Sequence, residues 1–155
     1  VDEDVLGALK DQNWAARPSS GLIYVIRSVG SDETPEALHR VLMGVVDPSV
    51  EVDHINCDTL DNRRSNLRAT DDTGNAMNQR KTRRRSRSRF KGVGWFAKIS
   101  KWGAQITHNG SKRYLGVFVN EVDAARAYDA EARLHHGAFA RLNFPNPGEQ
   151  SALRL

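Results

Sequence analysis

Asp53 and His54 stand side by side in VDHIN (52–56), and Asn62, Asn66, Asn75 and Asn78 follow, with Arg63, Arg64 and Arg68 among them. Hydrolysis of a phosphodiester needs an activated water, and a base with a pKa near 7 suits that task, which makes histidine the natural choice. Charge developing on the phosphate and the leaving oxygen calls for a cation on hard oxygen ligands, with positions left for substrate and water. The Asp53 carboxylate and an asparagine amide oxygen are ligands of that kind. The chain has one cysteine, Cys57, so a disulfide framework and a CxxC zinc ribbon are both excluded. The inventory points to Mg2+ or Mn2+ and away from zinc.

The elements that must hold these groups follow from the pattern around them. VEVDHIN (50–56) reads as a short strand, with Val50 and Val52 on the face opposite Glu51 and Asp53. Neighbours on a strand face opposite sides, so His54 serves the water side and Asp53 the metal side. Asn66, twelve residues after His54, begins a returning strand, NLRAT (66–70), and can hydrogen-bond the imidazole or the loop that positions it. A short helix follows, N-capped by Asp71 or Asp72, and Asn75 in its first turns can reach the metal on Asp53. Asn62, inside the turn-rich CDTLDNRRS, reads as loop chemistry, an Asx-turn rather than a catalytic group.

Two flanking regions surround this strand–loop–strand–helix order. Upstream, GLIYVIRS (21–28) suits a strand. TPEALHRVLMGVV (34–46) reads as a helix with Thr34 as N-cap and Pro35 at its first position, leaving His39 off the apolar face as a surface histidine or a phosphate contact. Residues 1–20 read as an arm, either a short helix anchored by Trp14 or disordered. Downstream, FKGVGWFAKIS, KWGAQITHNG and SKRYLGVFV read as three strands with turn signals at Trp102-Gly103 and Asn109-Gly110, the second a strong hairpin signal. NEVDAARAYDAEARLHHG (120–137) reads as a helix capped by Asn120, with Asp123 three residues on and Ala124, Ala125, Tyr128 and Ala132 facing the sheet.

Charge placement says more than the total. Lys and Arg number 23 against 19 Asp and Glu, yet QRKTRRRSRSRFK (79–91) has no acid and lies between two patterned segments. Such a run reads as a tether along a polyanion, which makes nucleic acid the expected partner; that it is double-stranded is what the groove-reading resemblance below implies. No apolar run approaches the ~20 residues of a membrane span. No signal peptide opens the chain, and one reduced cysteine suits an intracellular, cytoplasmic setting. Val1 in place of methionine reads as a trimmed product.

VDHIN, DNRRSNLR and TGNAMNQ together resemble the HNH endonucleases, specifically the H-N-N variant of phage and mobile-element homing enzymes, over residues 21–80. The resemblance implies a ββα-metal finger, His54 as general base, Asn66 as the residue orienting it, and Asp53 and Asn75 as metal ligands. FKGVGW, KWGAQI, YLGVF, EVDAARAYDAEA and HHGAFARLNFP resemble the plant ethylene-response-factor (Apetala-type) DNA-binding domain. That resemblance implies a sheet lying in the major groove, with contacts near Lys91, Trp95, Lys98, Gln105, Lys112 and Tyr114. Gly94 and Thr107 replace family arginines, and arginine is the commonest reader of guanine, so the plant target sequence does not carry over. Arg63 and Arg64, together with Arg80, Lys81, Arg83, Arg84, Arg85, Arg87 and Arg89, are the expected phosphate contacts.

The fold class expected is α+β: a nuclease domain over 21–79, a basic linker over 80–90, a sheet-plus-helix domain over 91–147 and a tail over 148–155. The function expected is a site-directed, metal-dependent DNA endonuclease, nicking as a monomer or cutting both strands as a homodimer. A DNA-binding regulator with a decayed finger is the alternative, although decay should first remove Asp53, His54 or Asn75, and all three are present. RNA binding rests only on RRRSRSR.

Overall fold

A computed structural model describes residues 1–30, 33–79 and 86–153. Its mixed α/β chain divides into two units, residues 1–72 and 73–155. In the first, a 3-10 turn and the single-turn α1 (Leu6–Leu9) precede β1 (Trp14–Ser19), which pairs antiparallel with β2 (Leu22–Arg27). Ser20 and Gly21 both take positive φ between them, the pair of conformations that lets a two-residue turn follow strand twist. Residues 14–19, expected in an arm, therefore carry a strand.

The helix expected from Thr34 starts later. Glu36–Ala37 forms β3, antiparallel to β2, and α2 spans only Leu38–Met43. Strand pairing wins here because Glu36 lies opposite Arg27 and accepts its guanidinium at 2.6 Å. Gly44, at φ 62, ends α2, with Val45 N–H donating to Arg40 O and Gly44 N–H to Val41 O, a Schellman ending. Arg40 then donates to Asp47 O and Val50 O, both at 2.6 Å, which ties the following loop down before β4 (Glu51–His54). β4 pairs antiparallel with β5 (Leu67–Thr70), Asp53 opposite Arg68 and His54 opposite Leu67.

The second unit contains α3 (Asp72–Asn78), whose first residue lies at the boundary. β6 (Val93–Phe96), β7 (Lys101–His108) and β8 (Ser111–Phe118) follow as one antiparallel sheet. Asn109 and Gly110 turn the hairpin at φ 49 and 70. Across the sheet lies α4 (Glu121–His136), burying Ala124, Ala125, Tyr128 and Ala132 as the spacing predicts. Asn120 precedes it, extended, without a side-chain cap; its Nδ2 donates instead to Asp123. β9 (Arg141–Leu142) and β10 (Gln150–Ser151) pair in parallel, and Ala152 is fully buried, so residues expected in the tail reach the core. Buried Asp129 accepts the N–H groups of Asn143 and Phe144, and Asn143 brackets the Lys91 peptide.

Candidate active site and nucleic-acid interface

Asp53 and His54 end β4 with side chains 7 % and 4 % exposed. A buried charge needs a partner, and Arg68, directly across the ladder, supplies two N–H groups to Asp53 Oδ2 at 2.8 and 3.0 Å. His54 and Leu67 occupy the other face. The strand therefore separates the acid from the imidazole as alternation requires.

The loop between the strands is built from side-chain amides. Asn66 Nδ2 donates to Asp61 O at 2.7 Å and Asn56 Oδ1 at 2.9 Å, while Asn56 N–H donates to Asn66 Oδ1 at 3.0 Å. Of the two roles open to Asn66, the structure gives it the loop. Asn62 lies 1 % exposed, with its Oδ1 3.1 Å from His54 Nε2 and its Nδ2 donating to Thr59 O at 3.3 Å. Sequence reasoning missed this residue because DNRR carries a sufficient local explanation as a turn. Thr59 Oγ1 in turn donates to Ile23 O at 2.6 Å and so joins the loop to β2.

His39 corrects a second expectation. It is no surface histidine: its ring meets His54 edge-on at 5.1 Å and Tyr24 at 5.8 Å. Burial, then the neighbouring His54 and Arg40, push its pKa down to about 4.

The expected phosphate contacts have varied surroundings. Arg63 grips Asp61 through two bonds of 2.7 Å, and this pairing holds the Asp61 carboxyl well below its usual range. Arg64 pairs with Asp2 and Asp4. Asn75 lies half-buried in α3. Arg87 and Arg89 are exposed, the latter over the Phe90 ring at 4.9 Å. Arg80, Lys81, Arg83, Arg84 and Arg85 fall outside the described residues. The Lys91 ammonium donates to Met77 O and Gln79 O at 2.6 Å each, where a cation suits the C-terminal end of α3.

On β7, Ala104 and Ile106 are buried under α4 while Gln105 and Thr107 alternate to the other side. Gln105 faces Tyr114 across the ladder, and Thr107 faces Lys112. All four are exposed, Tyr114 to 54 %. Lys98 lies exposed in the turn before β7. Trp95 is half-buried and pairs with Trp102 at 4.9 Å on the face of Val93 and Ala104. Period-2 alternation from the buried Val93 forces that direction.

Among the described residues no three His, Cys, Asp or Glu side chains gather as ligands. The Asp53 carboxylate is a hard oxygen donor, the kind of ligand that divalent cations of the Mg2+ class prefer.

Residues 37–77 match the model of a family described as HNH endonuclease. The chain is also 42% identical over 65 residues to a rice AP2/ERF and B3 domain-containing protein (Oryza sativa subsp. japonica), covering 42% of this chain and 18% of that protein. It is 43% identical over 65 residues to dehydration-responsive element-binding protein 2A of Arabidopsis thaliana, covering 39% and 18%. With APETALA2-like protein 2 of Oryza sativa subsp. indica it shares 40% over 68 residues, covering 42% and 16%. The chain thus spans under a fifth of these curated relatives.

Proposed function

We propose that a chain pairing an HNH endonuclease segment with AP2/ERF similarity is a site-directed, divalent-metal-dependent DNA endonuclease of the homing type. One observation carries the reading: a buried Asp53–His54 pair at the end of β4, inside the matched segment, each side chain held by a polar partner. Burying an acid beside an imidazole is costly in so small a unit, and neither is needed to fill a core. Function explains the expense.

In this reading His54 takes the proton of the attacking water. Asp53 and Asn75 would hold Mg2+ or Mn2+, which when bound stabilises charge on the phosphate and the leaving oxygen. Arg68 fixes the Asp53 carboxylate, and Asn66 fixes the loop between the strands. Gln105, Lys112 and Tyr114 face the duplex, and the basic run with Arg87 and Arg89 follows its phosphates, positioning while the sheet specifies. Supercoiled plasmid incubated with Mg2+ or Mn2+ tests this. Conversion to open circle, abolished by EDTA and by His54→Ala, is expected. Salt-sensitive DNA binding without cleavage, repeated over a target library, would make the chain a regulator instead.

A further inference from the structure

The amide that meets the catalytic imidazole is Asn62, and its orientation is decided by its other end. Asn62 Nδ2 donates to Thr59 O at 3.3 Å, and Oδ1 faces His54 Nε2 at 3.1 Å. Turning the amide over would set its oxygen against the Thr59 carbonyl oxygen, acceptor against acceptor, in a site where Asn62 is 1 % exposed and water cannot relieve the clash. The oxygen therefore faces the ring. An amide oxygen only accepts, so Nε2 must carry the proton.

From this geometry we propose that Asn62, and not Asn66, is the positioning residue that sets the tautomer of His54: Nε2–H donates to Asn62 Oδ1, and Nδ1 holds the lone pair that takes the proton from water. Both amide hydrogens of Asn66 are already donated, to Asp61 O and Asn56 Oδ1, and its oxygen accepts from Asn56 N–H. Asn66 therefore acts one step back, by holding the loop that carries Asn62. The edge of His39, 5.1 Å from His54, limits the ring's rotation from another side. The inference deepens the endonuclease reading and rests on it only for the use made of the lone pair.

The test reads the tautomer directly, by two-bond 1H–15N correlation spectra of the full chain labelled with 15N-histidine, with the His54 signals assigned by their loss in His54→Gln. At a pH where the ring is neutral, wild type is expected to show protonated Nε2 and bare Nδ1. Asn62→Ala should yield a mixture of tautomers. Cleavage by Asn62→Ala should fall about 10²-fold in kcat with little change in DNA affinity, the scale of losing a group that orients a catalytic side chain. Protonated Nδ1 in wild type, or an unchanged tautomer in a folded Asn62→Ala, overturns the proposal. The spectra need no activity, so a chain that never cuts DNA would defeat the endonuclease reading and leave the tautomer assignment to be judged on its own.

Discussion

Arg68 and Asp53 face each other across the ladder as a buried ion pair, and changing either one disturbs the other. Asp53 is 7 % exposed and accepts two hydrogen bonds from Arg68 on one oxygen. Arg68→Ala leaves a buried carboxylate without that partner, and we expect a loss of about 3 kcal/mol in urea unfolding. Asp53→Asn combined with Arg68→Ala should recover most of it, because no charge is then orphaned. His39 gives the pH counterpart. Its folded pKa is about 4 against an ordinary 6.5, so between those values the unfolded chain binds a proton that the folded chain refuses. Stability should fall as pH drops from about 6.5 towards 4 and be level above that window. Full burial would make the effect about 3 kcal/mol; partial exposure screens it to about 1–2 kcal/mol. His39→Phe, compared with wild type at pH 7.5 and pH 4.5, should remove that share of the pH dependence.

At the scale of elements, two glycines with similar φ separate strain from packing. Gly92, at φ +76, lies under Tyr128, where an added Cβ would come 2.0 Å from the ring; Gly110, at φ +70, has nothing within 4 Å. Gly110→Ala should cost about 1 kcal/mol through backbone conformation alone. Gly92→Ala should cost about 3 kcal/mol or more, since the buried ring cannot move aside, with thermal unfolding as the measurement. Elements written in local chemistry were legible: the alternation of β4, the returning β5, the Asn109-Gly110 hairpin and the alanine face of α4. Elements decided by a distant partner were not. Thr34-Pro35 is a sound helix start, yet pairing of Ile26 with Ala37 and of Arg27 with Glu36 shortens α2. The site divides in the same way. Asp53 and His54 show themselves by type and adjacency, whereas Asn62 becomes meaningful only when Thr59 O fixes its amide.

Over the whole molecule, charge is sorted along the chain in a way that a net of +4 conceals. From Thr73 to Asn120 there is no Asp or Glu, and twelve Lys or Arg residues; the acids of the second unit begin with Glu121 on α4. The side of the sheet away from α4 therefore meets solvent with Gln105, Thr107, Lys112 and Tyr114, while the helix carries the negative charge. A surface so divided should bind a polyanion by displacing its counterions, and the salt dependence then counts phosphates. We expect the slope of log K against log salt on a mixed-sequence duplex, read by fluorescence anisotropy, to become shallower by up to about 2 in Arg87→Gln/Arg89→Gln and by about 1 in Lys112→Ala. Tyr114→Ala and Gln105→Ala remove no charge, so they should weaken binding while leaving the slope unchanged. Equal slopes in all these variants would mean that the duplex lies elsewhere on the molecule, and that the acid-free stretch keeps its charge for another purpose.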